Sequence, residues 1–542
     1  MTRAESVNRE DVTRETRNAK PKTRNPGLET ILLVLLALFA IAPLAYPGLW
    51  QSQAGFLPLY TVLHVRGIGS LAALQPWVTP VGPLLPGALR EGPLPYVTAS
   101  GLSWLGLSSL HALKIVAALA LLTAAGTTYA LARDIFDDPP SGLVAGLLFL
   151  YAPPFLTTLY ARWRPAELWA LALFPALLWT QRRPRRPINI GLRFLLAALI
   201  ALCQPGLSVF LVGVAVIYGL LREVMPERFR LTALSTIAGL GVGLGAWGLM
   251  LVGTMPAPAL AFFQRFLNPA DLLSPTWPAA LSDEGPPLAT VAVLLAIFAV
   301  ARLNRLPRGS NPRRDAVFFL ATGLVLAVAP LQSLAPLWRL ARLDHLLLAP
   351  WQLLAPASLA LAIGAVALLT AEPRWQEGLW QLALILLILL PVFPNLSPEF
   401  WSPVPRALPP AVFGEQSIAL VDASLDGTLA AGQEITLRPR WQALQALSQD
   451  YTLFVHVIGE TGHTWGQRDA MPLNGQRPTT SWQTGEIISD GYTVAVDAAA
   501  PSNLRIEIGW YLLETGERLP RRDGSTALIL NPADLERDYV TR

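Results

Sequence analysis

Between about residue 28 and residue 395 the chain is a succession of apolar stretches separated by short, arginine-rich turns, and beyond that it becomes polar. Nothing else constrains its fold as strongly. A bilayer core is roughly 30 Å thick and takes about 20 apolar residues per crossing helix. Inside it, every peptide group must find a partner within its own segment or barrel. Suitable stretches lie near 28–47, 110–133, 141–160, 165–180, 190–203, 206–221, 231–252, 287–303, 315–333, 347–371 and 377–395. Two are short, and the pair meeting around Cys203 and Gly206 also reads as one bent element. The pattern predicts a polytopic α-helical membrane protein with about eleven transmembrane helices and one soluble C-terminal domain. Charged residues are only 14% of the chain, against about 25% in soluble domains.

The basic balance, a pI near 9.3, is explained by position. Arg182, Arg183, Arg185 and Arg186 share one turn; Arg222, Arg228 and Arg230 the next alternate one; Arg302, Arg305, Arg308, Arg313 and Arg314 the one after. Lys20, Lys22 and Arg24 precede the first stretch. Simple alternation puts all of them on one side, the positive-inside pattern. This predicts a cytoplasmic N-terminus, an extracytoplasmic C-terminal domain after an odd number of crossings, and no nucleic-acid partner. Residues 1–27 form a polar leader without apolar periodicity, expected to be disordered, so the first stretch is not read as a cleaved signal. Cys203 is the only cysteine, which excludes an intrachain disulfide and a Cys-based zinc site.

The membrane domain is expected over 28–397, with a first outer loop at 48–109 and a second at 253–286. The first is rich in Pro, Gly and Trp and reads as short interfacial helices, with Trp50, Trp77 and Trp104 at headgroup depth. A Pro-rich linker, 398–410, leads to a tail at 411–542 whose apolar period changes to two. The β-type runs 417–421, 434–441, 451–458, 492–496 and 504–511, split by Gly turns, predict an extracytoplasmic antiparallel β-sandwich.

Charges on the outer side go against the positive-inside trend, so they are the first candidates for chemistry. Arg162 and Arg164 share a very short outer turn with Glu167, and Arg339, Arg342, Asp344 and His345 precede the tenth stretch. A guanidinium offers phosphate a planar fork and a permanent charge. The competing role is interfacial snorkelling or an Arg162–Glu167 pair. Lys114, near the outer end of the second stretch, has the same two readings. Asp271, Asp283 and Glu284 lack an Asp-x-Asp pairing, so no metal site is assigned; a divalent cation is the one cofactor left open. Trp465, Trp482 and Trp510 are candidates to stack on sugar rings, with strand core as the alternative. No Walker loop, dinucleotide fingerprint or nucleophile elbow occurs.

Several strings resemble the GT-C-type membrane glycosyltransferases, in particular the branch labelled pyruvoyl-tetrahydropterin-synthase-related membrane proteins. They are Ala112-Leu113-Lys114, Tyr129-Ala130-Leu131-Ala132-Arg133, Tyr151-Ala152-Pro153, Tyr160-Ala161-Arg162 with Glu167, and Phe174-Pro175. Ala349-Pro350-Trp351-Gln352 resembles that branch's Phe-Pro-Trp-Arg string. The tail is similar to β-domains of family 39-like glycosyltransferases of Chloroflexi-type bacteria, through Phe454-Val455-His456, Arg477-Pro478, Ser481-Trp482, Gly485-Glu486 and Gly516-Glu517-Arg518-Leu519.

The resemblance implies transfer of a sugar from a polyprenyl-phosphate donor to an envelope glycan or protein acceptor, on the outer face of a bacterial plasma membrane. It also implies an acidic general base early in the first outer loop and Arg or Lys groups on the leaving phosphate. This chain departs there: Gln51 and Gln53 stand where the acid is expected, and no Asp or Glu occurs between Glu29 and Glu91. Gln352 stands in place of the string's Arg. Either Glu91, Glu167 or Asp344 substitutes as base, with Lys114, Arg162, Arg164, Arg339 and Arg342 as phosphate and lipid ligands, or the chain is a catalytically degenerate member that binds lipid-linked glycan or acts as a scaffold. A flippase is disfavoured, because transporters place charge at mid-membrane and these stretches hold almost none.

Overall fold

Peptide groups that cannot reach water are satisfied by coiling the chain on itself, and the apolar stretches do so. The computed structural model describes residues 26–50, 52, 54, 57–67, 91–183, 186–222, 226–250, 262–273, 285–288, 290–396, 398, 400–401, 411–414, 417–444, 447–482, 486–521, 524–531 and 535. Its helices are α1 (Pro26–Ile41), α2 (Leu57–Gly67), α3 (Leu94–Trp104), α4 (Ser109–Phe136), α5 (Pro139–Leu150), α6 (Pro153–Tyr160), α7 (Pro165–Arg182) and α8 (Pro187–Cys203). They continue with α9 (Pro205–Arg222), α10 (Pro226–Met250), α11 (Thr290–Arg302), α12 (Asn311–Val328), α13 (Ala335–Ala341), α14 (Leu354–Ala365), α15 (Ala367–Ala371) and α16 (Gly378–Leu389). From α5 to α10 every helix opens on proline, whose fixed φ and missing N–H suit a first helical turn.

Among the described residues five helices are long and apolar enough to cross a membrane: Gly27–Ala45, Ser109–Phe136, Pro205–Arg222, Leu231–Gly248 and Pro350–Ala371. A sixth span arises if α5 and α6, bent by 47°, count as one. The bend follows from Pro153 and Pro154, which drive Ala152 to an extended ψ of 131° and interrupt the ladder. Each of the eleven apolar stretches coincides with a helix or a broken helix. Length and composition alone license six crossings, so the fuller count needs other support.

Polar contacts between distant segments gather at two ends of the bundle. At one, β1 (Leu49–Trp50) pairs antiparallel with β2 (Phe400–Trp401). The segments that follow α1 and α16 therefore return to the same end. There too Ala54 N–H donates to the Arg162 carbonyl at 3.2 Å, and Gly92 N–H to the Cys203 carbonyl at 2.7 Å. At the other end Arg182 pairs with Asp134 and Asp315, Arg222 with Asp315, and Arg302 and Arg305 with Glu372. Buried Arg193 closes that end of α7, donating from Nε and Nη2 to the Thr180 carbonyl at 3.0 and 2.7 Å and from Nη2 to the Arg183 carbonyl at 2.9 Å.

The tail forms two antiparallel sheets. One has the order β11 (Leu528–Leu530), β10 (Arg505–Leu512), β6 (Tyr451–Ile458), β7 (Thr464–Ala470). The other runs β3 (Ala411–Phe413), β4 (Ile418–Asp426), β5 (Glu434–Ala443), β8 (Ile487–Ser489), with β9 (Tyr492–Ala495) also on β5. Both contribute to one core: Ile435, Leu437 and Trp441 from β5 meet Leu453, Val455, Ile506, Ile508 and Trp510 from β6 and β10. Trp441 and Trp510 touch across the sheets at 4.9 Å between ring centroids.

Candidate functional site

The turn between α6 and α7 is where local sequence and distant chain meet. Pro165 prevents a smooth continuation of α6, and Trp163 takes a left-handed φ of 54°, uncommon for a bulky residue. Tertiary packing holds it there. The Trp163 ring is fully buried and lies 4.4 Å from that of Trp50, edge to face. The Trp50 indole N–H donates to the Leu159 carbonyl at 3.3 Å. The expectation of Trp50 at headgroup depth is corrected: it is a core residue that locks the first loop onto this turn. Trp104, 67% exposed, does sit on the surface.

With Trp163 pointing inward, Arg162 and Arg164 on either side reach different partners. Arg162 Nη1 donates to both Glu167 oxygens, at 2.9 and 3.1 Å, and Nη2 donates to Thr158 Oγ1. Its guanidinium lies 4.5 Å from the Trp351 ring centroid. Glu167 has no exposed surface and sits in the first turn of α7, where the helix dipole favours an anion. Gln352 Nε2 donates to its second oxygen at 2.8 Å, while Gln352 Oε1 accepts the Leu348 N–H at 2.7 Å. Glu167 is thereby the hub of a buried network, fully engaged. The predicted structural alternative, an Arg162–Glu167 pair, is what forms.

Arg164 turns the other way and donates to Glu91 Oε1 at 2.8 Å. Tyr96, in the first turn of α3, donates to Glu91 Oε2 at 2.5 Å. Burial, and then the Glu91 carboxylate, push the Tyr96 phenol well above its usual value, so it stays a donor. Gly92 is obligatory beside it: a Cβ there would lie 1.8 Å from the Leu202 carbonyl oxygen. This second pair is the more accessible one, with Arg164 and Glu91 side chains 15% and 7% exposed against 8% and 0% for Arg162 and Glu167. Around the two pairs, Arg162 Nε, the indole N–H groups of Trp163 and Trp351, Ser52 Oγ and Gln204 Oε1 are buried without a partner among the described residues. Native cores leave few such atoms, so each calls for an explanation.

The other candidates fall elsewhere. Lys114 is buried and donates to the Tyr46 carbonyl at 2.6 Å, tying α4 to the end of α1. Arg339 is exposed and lies 4.7 Å from the Phe263 ring centroid; Arg342, also exposed, ends α13 with a φ of 52°. Asp344 is half-buried in the 3-10 turn Leu343–His345. Trp482 and Trp510 are 3% and 0% exposed in the sandwich core, so neither offers a ring face to a sugar, which corrects that expectation. Trp465 remains half-buried on β7, 4.6 Å from the His463 ring. Gln51, Gln53, Asp283 and Glu284 lie outside the described residues. Among the described residues no three His, Cys, Asp or Glu side chains come together as a metal site. Gln352 and Tyr96 are the members of the site that sequence reasoning did not assign; their roles depend on partners 185 and five residues away.

No protein-family model matches the chain, and no curated protein matches it. Among solved structures, crystal structures of ArnT from Cupriavidus metallidurans, one bound to undecaprenyl phosphate and one in the apo state, match at 14% identity. Each covers 64% of this chain, and 78% and 77% of the ArnT chain, with TM-scores of 0.33 and 0.32. Likeness at that level carries no argument about this chain.

Proposed function

We propose that this chain is an integral membrane glycosyltransferase of the GT-C type, working at the Arg162 end of the bundle with Glu91 as acceptor base and Arg164 as ligand of the donor phosphate. The observation that carries this reading is the Glu91–Arg164 pair itself, a carboxylate and a guanidinium 2.8 Å apart at the end of the first loop. In the absence of donor each neutralises the other. A polyprenyl-phosphate sugar brings a phosphodiester anion that can take both arms of the Arg164 fork and frees Glu91, which takes the acceptor hydroxyl proton. The acceptor oxygen then bonds to the sugar's anomeric carbon as the bond from that carbon to phosphate oxygen breaks. The electron pair leaves with the phosphate and is held by Arg164. Arg339 and Arg342, exposed, attract the anionic carrier by long-range charge. Arg162, Glu167 and Lys114 hold the scaffold.

The two-ended distribution of polar contacts supports eleven crossings. Strict alternation of the stretches puts residues 50, 54, 92, 162, 203 and 400 on one side and residues 134, 182, 222, 302, 315 and 372 on the other, as their pairings require. With the positive-inside rule, the basic end is cytoplasmic, and the Arg162 end and β-domain face outward from a bacterial plasma membrane.

A second reading has its own support. Both Glu91 and Glu167 are in ion pairs and Glu167 is wholly enclosed, which favours a degenerate member that binds lipid-linked glycan or scaffolds envelope assembly. Transfer of radiolabelled sugar from polyprenyl-phosphate donors, in membranes carrying wild type, Glu91→Gln, Glu167→Gln or Asp344→Asn, separates the two. Loss in Glu91→Gln with transfer kept in Asp344→Asn supports the enzyme. Loss only in Asp344→Asn moves the base to that residue, and no transfer from any donor with lipid-linked sugar still bound supports the degenerate member.

A further inference from the structure

The basic end of the bundle holds a cavity of about 450 Å³ between the last turn of α9 and the first turns of α12. Its walls differ in character. Arg222, Arg313 and Arg314 line it with a single carboxylate, Asp315. That carboxylate is already committed: it accepts from Arg222 Nη1 at 3.0 and 2.8 Å and also from Arg182. Arg314 Nη2 donates to the Leu221 carbonyl at 2.6 Å, which leaves part of its fork for another acceptor. Arg313, half-buried, has no hydrogen-bond or ion-pair partner among the described residues. The same wall carries the N-terminus of α12, whose N-cap Ser310 makes no capping bond and whose hydroxyl is buried without a partner. Its first turn is thus a positive dipole end with free amides.

Apart from Asn311 and the Tyr218 hydroxyl, the rest of the lining is apolar and continues onto the lipid-facing surface. Leu221 and Val317 are 51% and 47% exposed, and Leu324 and Val325, two turns along α12, are 64% and 65% exposed. A cationic mouth beside an apolar wall that runs into the bilayer matches one class of ligand. A phosphate sits among the guanidiniums and its chains lie along the helices.

We propose that this cavity holds the phosphate of an anionic phospholipid, with Arg313 and the α12 N-terminus on the headgroup and Leu221 and Val317 against an acyl chain. The excess of guanidinium over carboxylate disfavours a choline headgroup and favours one with net negative charge. A soluble phosphate would share the mouth but gain nothing from the apolar wall.

The test uses the full chain in nanodiscs of phosphatidylcholine containing a minor fraction of phosphatidylglycerol, with retained phosphatidylglycerol counted by native mass spectrometry after detergent exchange. A neighbouring basic residue contributes about fivefold to the capture of anionic lipid. Arg313→Gln should therefore hold phosphatidylglycerol about fivefold more weakly, with Cys203 still protected from thiol reagents as a check on folding. Val317→Trp, which fills the apolar half and keeps every arginine, should lose the lipid as well. Unchanged lipid retention in both variants overturns the proposal. Binding of radiolabelled inorganic phosphate that needs Arg313 and ignores Val317→Trp, with lipid retention unaltered by Val317→Trp, overturns the lipid assignment in favour of a soluble anion.

Discussion

Removing Arg162 should expose how the α6–α7 turn is held. In Arg162→Met the Glu167 carboxylate stays wholly enclosed and keeps only the Gln352 amide as donor. Taking one partner from a buried pair costs about 3–5 kcal/mol, because the remaining charge has neither water nor a counter-ion. The pair is shielded enough for that figure to apply, with side chains 8% and 0% exposed. The chain carries its own reporter. Cys203 is its only cysteine, is buried at the end of α8, and bonds through its carbonyl to Gly92 beside the second ion pair. Its labelling by a maleimide fluorophore in detergent requires opening, and each 1.36 kcal/mol is a factor of ten. Labelling should accelerate about 10²- to 5 × 10³-fold. In the double variant Arg162→Met/Glu167→Met the orphaned charge is gone, and only the Gln352 amide loses its acceptor, at about 1–3 kcal/mol. The double variant should therefore label more slowly than the single one. A single variant that labels like wild type, or a double one as fast as the single, refutes the reasoning: the carboxylate would then be reached by water or be irrelevant to the turn.

Three further outcomes follow from the geometry. Gly92→Ala, with its Cβ set 1.8 Å from the Leu202 carbonyl oxygen, should displace Glu91 and lower sugar transfer as far as Glu91→Gln does; full activity would detach Glu91 from the reaction. Leu49→Cys with Trp401→Cys places thiols on directly opposed residues of β1 and β2, within disulfide range, so oxidation should produce an intramolecular cross-link visible on a gel, and its absence would refute a shared end for the segments that follow α1 and α16. Asp315→Asn removes the carboxylate that both Arg182 and Arg222 use and should cost about 3 kcal/mol, read as faster Cys203 labelling; an unchanged rate would mean that solvent already satisfies both guanidiniums.

The apolar stretches were legible because a bilayer leaves a chain one local choice, and period alone reveals it. The strands β5, β6 and β10 were equally plain, since their inward residues alternate, as in Ile506, Ile508 and Trp510. The strand β7 was not. Its sequence, Thr464–Ala470, is polar apart from Trp465, Gly466 and Ala470 and has no fully buried residue, because it lies at a sheet edge. The candidate site was half legible. Charge against the positive-inside trend singled out Arg162, Arg164 and Glu167, and the missing early acid pointed to Glu91, but spacing could not say which carboxylate Arg164 would take. Arg162 finds Glu167 five residues on, while Arg164 finds Glu91 73 residues back. That divergence comes from the inward turn of Trp163, which depends on the Trp50 ring more than 100 residues away. The Arg162–Glu167 pair was one of the roles open from sequence, whereas nothing local pointed to the Arg164–Glu91 pair.

The replacement of an expected Arg by Gln352 has a physical logic visible only in three dimensions. Glu167 is already neutralised by Arg162, and the Gln352 amide completes its shell while its own oxygen accepts the Leu348 N–H. An Arg at this position would bring a second guanidinium to one enclosed carboxylate and would leave the Leu348 N–H without an acceptor. Buried charge in excess of its partners is costly, so Gln at 352 and the Arg162–Glu167 pair form one consistent solution. The same accounting separates the two acids. Glu167 is spent on structure, with three donor contacts and no exposed surface. Among the described residues Glu91 is held by Arg164 and Tyr96 alone. A phosphate competing for Arg164 releases Glu91 but leaves Glu167 in place. If this chain transfers sugar, the loss of the early acid has been offset by the one carboxylate whose partner a phosphate can take.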